Sequence, residues 1–184
     1  MKFSKSFDLY KNSINNVLSS VSQVDLNKTI KMINEVIKKK GRIFIVGNGG
    51  SASIASHVSV DFAKVARIPS STFNNANLIT CFANDYGHDN WVTEAIKAYS
   101  IRNDMFILIS SSGTSKNIVN AAKYCKKNSI QLITLSGFKK NNPLSKCGNV
   151  NFHINSNQYN FIEMSHHIIL VYLVDIFAKN KLSS

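Results

Sequence analysis

Two loops and four ionisable side chains carry the chemistry this sequence could do. From Phe44 to Lys64 the chain reads FIVGNGGSASIASHVSVDFAK: an apolar run, a Gly-Asn-Gly-Gly-Ser turn, then a helical pattern bearing His57 and Asp61. A glycine-rich turn between strand and helix lets backbone N–H groups approach an anion, because no Cβ intervenes, and the helix N-terminus adds a favourable dipole. The segment SSSGTS repeats the design with hydroxyls, offering Ser110, Ser111, Ser112, Thr114 and Ser115 at the mouth of a second strand-to-helix turn. Tight turns with Ser/Thr helix caps would account for either loop alone. Two such loops at one edge of one sheet point to a phosphate.

Gly47, Gly49 and Ala52 also satisfy the dinucleotide pattern G-x-G-x-x-A, which calls for an acid at the end of the next strand, roughly 20 residues on. The segment SSTFNNANLITCFA offers none, and no GK[ST] ending marks a P-loop. A small phosphorylated compound fits better than a nucleotide.

The elements that must position these loops follow from periodicity. Residues 5–40 read as two helices, with Phe7, Tyr10, Ile14 and Val17, then Leu26, Ile30, Ile33 and Ile37 at helical spacing. GRIFIVG (41–47), NLITCFA (77–83), DMFILIS (104–110), QLITLSG (131–137) and NVNFHIN (149–155) read as strands. Most are followed by a helical pattern, and YNFIEMSHHIILVYLVDIFAK reads as a final helix. Alternation at this spacing predicts a three-layer α/β sandwich around a parallel sheet with right-handed crossovers. The expected organisation is one structural domain, with an N-terminal helical arm over residues 1–40 and the α/β unit over 41–184. The final helix is apolar nearly all round from Ile168 to Phe177, which predicts a subunit interface.

With 184 residues at 44% hydrophobic composition, the chain can bury one sizeable core. No apolar stretch reads as a membrane span, and the start MKFSKSFDLYKNSINNV lacks the unbroken apolar region of a signal peptide, so a cytoplasmic location away from membranes is expected. Cys81, Cys125 and Cys147 are odd in number and widely spaced, without a CxxC pair, as ordinary reduced thiols would be. The net charge of +12 raises nucleic acid as a partner, but the lysines are scattered and favour helix ends. No helix-turn-helix, zinc finger or basic-aromatic stripe accompanies them, and no nucleic-acid partner is expected.

Taken together, GNGGSASIASH, CFANDYG, ISSSGTSKNIVNAA, ITLSG and the terminal helix resemble the sugar isomerase (SIS) domain family, and within it the phosphoheptose isomerases. The resemblance implies a flavodoxin-like sandwich assembled as a homotetramer with shared active sites. It implies contacts to a sugar phosphate from Ser51, Ser110, Ser112 and Ser115, with Asn48 and Asp85 at matching polar positions. Gly49, Gly50 and Ser111 complete the expected binding loops. The reaction it implies interconverts an aldose phosphate and a 2-ketose phosphate, sedoheptulose 7-phosphate to a heptose 7-phosphate for bacterial surface saccharides.

The residues that move the proton depart from the family pattern. The family carries a histidine and a glutamate one turn apart after GNGGS, then a glutamine and a histidine on the last helix, and zinc is commonly bound there. Here His57 matches, whereas Asp61, Glu163 and Val171 stand at the other three positions. His167 follows Glu163 by four residues, as Asp61 follows His57, so each helix presents a carboxylate and an imidazole on one face. The expectation is a rearranged site of His57, Asp61, Glu163 and His167, with Asp61, Glu163 and His167 in acid–base roles and all four able to hold a divalent metal such as zinc. A non-catalytic SIS-fold protein that binds a sugar phosphate or a protein partner is the competing function. His88 and His153 read as surface and packing residues, and Trp91 as a core anchor.

Overall fold

The computed structural model describes the backbone of residues 3–182 and the side chains of residues 7–178. Five strands, β1 (Ile43–Val46), β2 (Ser70–Thr72), β3 (Met105–Ser110), β4 (Gln131–Ser136) and β5 (Val150–His153), form one parallel sheet in the order β2-β1-β3-β4-β5. The helices are α1 (Phe3–Leu18), α2 (Gln23–Lys38), α3 (Gly50–Lys64), α4 (Ala76–Tyr86), α5 (Trp91–Tyr99), α6 (Lys116–Lys127) and α7 (Tyr159–Leu182).

The central strands are apolar throughout because both faces are covered: every residue of β1 and β3 is buried. Successive side chains point to opposite faces. Ile43, Ile45, Ile107 and Ile109 meet Ile33 of α2, Val58 and Phe62 of α3, and Leu170 and Leu173 of α7. Phe44, Val46, Phe106 and Leu108 meet Leu78 of α4, Trp91 and Ile96 of α5, and Ile118 and Ala122 of α6. The result is the expected three-layer sandwich. Because α2 supplies Leu26, Ile33 and Val36 to the same core, residues 23–38 are built into the sandwich.

Three local expectations need correction. NLITCFA is not a strand but the start of α4, whose N-cap Asn75 accepts a hydrogen bond from the Leu78 amide at 3.1 Å. Leu78, Ile79, Phe82 and Ala83 pack on the core at helical spacing, while Thr80, Cys81 and Asn84 face outward. The second strand is instead the polar Ser70–Thr72, an edge strand on β1 that needs no apolar alternation. Finally, Tyr159–Ala178 is long and apolar enough to cross a membrane, with a mean hydropathy of 1.5, although no such stretch was expected. Half of it is buried inside the fold, packed on α3 and α1, which is the environment of a core helix.

The β1–β3 pairing is fastened at its base by Asp104. Its carboxylate accepts from the Arg42 amide at 2.9 Å, Arg42 Nη2 at 2.7 Å and the Ile101 amide at 2.9 Å, with its side chain fully buried. Asp104→Ala is expected to cost about 2–3 kcal/mol in urea unfolding; a loss under 0.5 kcal/mol would contradict the role given to this clamp.

Candidate active site

Strand order reverses at β1 and β3, the place in an open parallel sheet where ligands bind beyond the strand C-termini. Both expected loops lie there. Gly49, with φ +54°, turns the chain from β1 into α3, and the side chain of Asn74 clamps the turn by accepting from the Gly47 amide at 3.1 Å and donating to the Gly47 carbonyl at 2.8 Å. After β3, Ser110 Oγ donates to Ser115 Oγ at 3.0 Å and Ser112 Oγ lies 2.9 Å from Thr114 Oγ1. Buried Asn142 packs beneath Gly113 and donates to Ser136 Oγ at 3.1 Å.

The two loops are joined by a reciprocal amide pair. Asn48 Nδ2 donates to Asn117 Oδ1 at 2.9 Å, and Asn117 Nδ2 donates back to Asn48 Oδ1 at 2.9 Å. Asn117 is buried at the start of α6, so the pair couples the N-termini of α3 and α6. Between them lies a cavity of about 270 Å³ lined by Asn48, Gly49, Gly50, Ser51, Ser110, Ser111, Ser112, Ser115, Ile109, Tyr159 and Glu163. Eight of the nine expected binding residues therefore converge. Asp85 does not: it lies on the exposed face of α4, held by Asn84 Nδ2 at 2.9 Å.

The four residues expected to share one acid–base or metal centre are divided between two places. Glu163 turns into the cavity, where its carboxylate packs on Gly50 so closely that a Cβ there would collide with it, and Ser111 Oγ donates to Glu163 Oε1 at 3.4 Å. The other three form a chain across the α3–α7 contact. His57 Nε2 lies 3.0 Å from Asp61 Oδ2, and His57 Nδ1 lies 3.0 Å from His167 Nε2, with the rings nearly perpendicular at 78°. With Asp61 ionised, His57 donates from Nε2 and accepts at Nδ1, so neutral His167 donates from Nε2 and keeps a lone pair on Nδ1. Burial, with the neighbouring His57, pushes the His167 imidazole below its ordinary value, and Asp61 opposes the shift.

This arrangement does not fit a metal held by one chain. Both nitrogens of His57 are engaged, Glu163 points elsewhere, and among the described residues no group of three or more His, Cys, Asp or Glu side chains is placed to hold an ion. Val171, at the position of the family's second histidine, packs against the core.

A family model described as SIS domain matches residues 9–137. The chain belongs to the SIS domain family. Phosphoheptose isomerase of Helicobacter pylori is 30% identical to this SIS domain over 139 residues, covering 72% of each chain. Phosphoheptose isomerase 2 of Campylobacter jejuni is 34% identical over 119 residues, covering 60% of this chain and 58% of that protein, less than two thirds of its length. The structure of phosphoheptose isomerase GmhA from Neisseria gonorrhoeae superimposes with a TM-score of 0.86 at 18% identity, covering 97% of this chain and all of that one, which establishes a shared fold.

The sequence reading missed Asn117, Asn74 and Asn142, since an asparagine beside a turn carries no sign of its partner. His166 is fully buried in this SIS domain. Its Nε2 lies 3.2 Å from the Ser136 carbonyl, and burial lowers its pKa to about 4, so it ties α7 to β4 as a neutral ring. For the amide pair, a double-mutant cycle of Asn48→Ala and Asn117→Ala is expected to give a coupling of about 1–2 kcal/mol in urea unfolding. Additive losses would remove the pair as a connection between the loops.

Proposed function

We propose that this SIS domain is an aldose–ketose isomerase of a phosphorylated sugar, with sedoheptulose 7-phosphate as substrate. The observation that carries the reading is the Asp61–His57–His167 chain one helical turn beyond the phosphate-binding cavity. Along α7, His167 follows Glu163 by four residues, about 6 Å of axial rise. A substrate whose phosphate rests among Ser110, Ser112 and Ser115 would extend its carbon chain past Glu163 toward His167.

There the free Nδ1 of His167 takes the C1 proton of the ketose, giving an enediolate and an imidazolium. The imidazolium, whose proton exchanges with solvent while it is held there, delivers a proton to C2, and the hydroxyl proton passes from O1 to O2, which completes the aldose. His57 fixes the His167 tautomer and orientation, and Asp61 stabilises the positive charge that spreads along the chain during the transfer. The lowered pKa of His167 keeps it unprotonated through neutral pH, as a base requires.

Several features support a second copy of the chain as partner. Met164, Ile168 and Tyr172 are exposed at four-residue spacing along α7, and Val60 is exposed on neighbouring α3. We read this stripe as the interface of a homotetramer whose active sites lie close to subunit boundaries. Free thiols at Cys81, Cys125 and Cys147, and a phosphorylated substrate, suit the cytoplasm.

Three outcomes follow. Purified protein is expected to convert sedoheptulose 7-phosphate, and His167→Ala is expected to lower kcat by about 10²–10⁴-fold with KM little changed; no conversion, with binding retained, would favour a non-catalytic sugar-phosphate binder. The acid limb of the wild-type kcat/KM should have its midpoint below the ordinary histidine value as His167 protonates, so a midpoint above that value would count against His167 as the base. Ile168→Glu should reduce the mass measured by light scattering, and an unchanged mass would place any interface elsewhere.

A further inference from the structure

The cavity has two chemically opposite ends. Around the start of α6 the lining side chains are hydroxyl groups, those of Ser110, Ser112 and Ser115, next to backbone N–H groups. Around the start of α3, the Glu163 carboxylate lies against Gly50 and accepts from Ser111 Oγ, which is itself 3.4 Å from Ser51 Oγ. Glu163 is the one carboxylate lining the cavity among the described residues.

The position Glu163 takes is the one an anion would choose. A negative group at a helix N-terminus is stabilised by the dipole and by amides lacking intrahelical partners. With the protein's own carboxylate there, an incoming hydroxyl can donate a hydrogen bond to it, whereas an incoming carboxylate or second phosphate meets a like charge at short range. Glycine at position 50 is what allows this approach, since any side chain there would displace the carboxylate.

We propose that Glu163 determines specificity: it restricts the cavity to monophosphates whose remaining groups are neutral hydroxyls, and rejects phosphorylated sugar acids and bisphosphates. This rests on the sugar-phosphate reading above, and it concerns which ligands enter rather than how the proton moves. The substitution of glutamate for the family's glutamine thus changes ligand choice at the cavity, separately from His167.

The test is isothermal calorimetry on the full chain with matched, non-isomerisable pairs that differ only in the terminal group. Glycerol 3-phosphate is set against 3-phosphoglycerate, erythritol 4-phosphate against 4-phosphoerythronate, and glucitol 6-phosphate against 6-phosphogluconate. In at least one pair the wild type is expected to bind the polyol phosphate tenfold or more, as an order of magnitude, over the acid. Glu163→Gln, which keeps an acceptor for the hydroxyl but removes the charge, should bring that ratio to about threefold or less, chiefly by tightening the acid. Glu163→Ala, which empties the space over Gly50 and removes both the charge and an acceptor for the hydroxyl, should also lower the ratio, and thermal melts establish that both variants fold. If the wild type binds polyol phosphates but no pair's ratio moves in either variant, the role of Glu163 is overturned and the sugar-phosphate reading stands. If the wild type binds neither class, both fall.

Discussion

The parallel pairing of β1 with β3, Ile43 opposite Met105 through Val46 opposite Leu108, is the contact on which the rest of the molecule depends. It is not a pairing of successive strands: β2 lies between them in sequence but on the far side of β1 in space. This reversal sets the turn after β1 and the turn after β3 side by side, and it sends α3 and α6 to opposite faces of the sheet with their N-termini at one crevice. A single anion can then be shared by two helix ends. The Asn48–Asn117 pair and the Asn74 clamp hold the geometry at the top, as the Arg42–Asp104 pair does at the base.

A second constraint is the packing of α7 on α3. The two helices touch first where Glu163 meets Gly50 and again where His167 meets His57. Buried His166, between them in sequence, fixes the rotation of α7 through Ser136. Rotation and axial register together decide that one carboxylate enters the cavity while the next turn offers an imidazole. The hydroxyl-lined end at α6, the Glu163 carboxylate and the His167 imidazole, backed through His57 by Asp61, therefore lie in succession from the cavity along α7. Val171, one turn beyond His167, packs against the core instead.

Much of this was legible in the residues. Unbroken apolar runs such as IFIV and MFILIS read as strands buried on both faces, and the glycine- and serine-rich turns announced themselves by the backbone freedom and donors an anion requires. The reading failed where the signal was tertiary. NLITCFA has β-rich composition, but Asn75 caps it and its apolar positions suit a helix packed on Phe44 and Phe106. The true β2, Ser-Ser-Thr, is an edge strand whose polar side chains give no periodicity at all. Spacing placed Glu163 and His167 on one face of α7, correctly, but could not tell that each would meet a different part of α3. The division between the cavity and the Asp61–His57–His167 chain is set by the crossing of two helices.

Proton exchange at the sugar carbons is the event on which the proposed isomerase activity depends. Incubating the protein with sedoheptulose 7-phosphate in D₂O and following the sugar by NMR measures that exchange directly. The account predicts deuterium at C1 of the ketose and C2 of the aldose with wild-type protein, and very slow incorporation with His167→Ala. Binding of the sugar phosphate without any incorporation of deuterium by the wild type would contradict it.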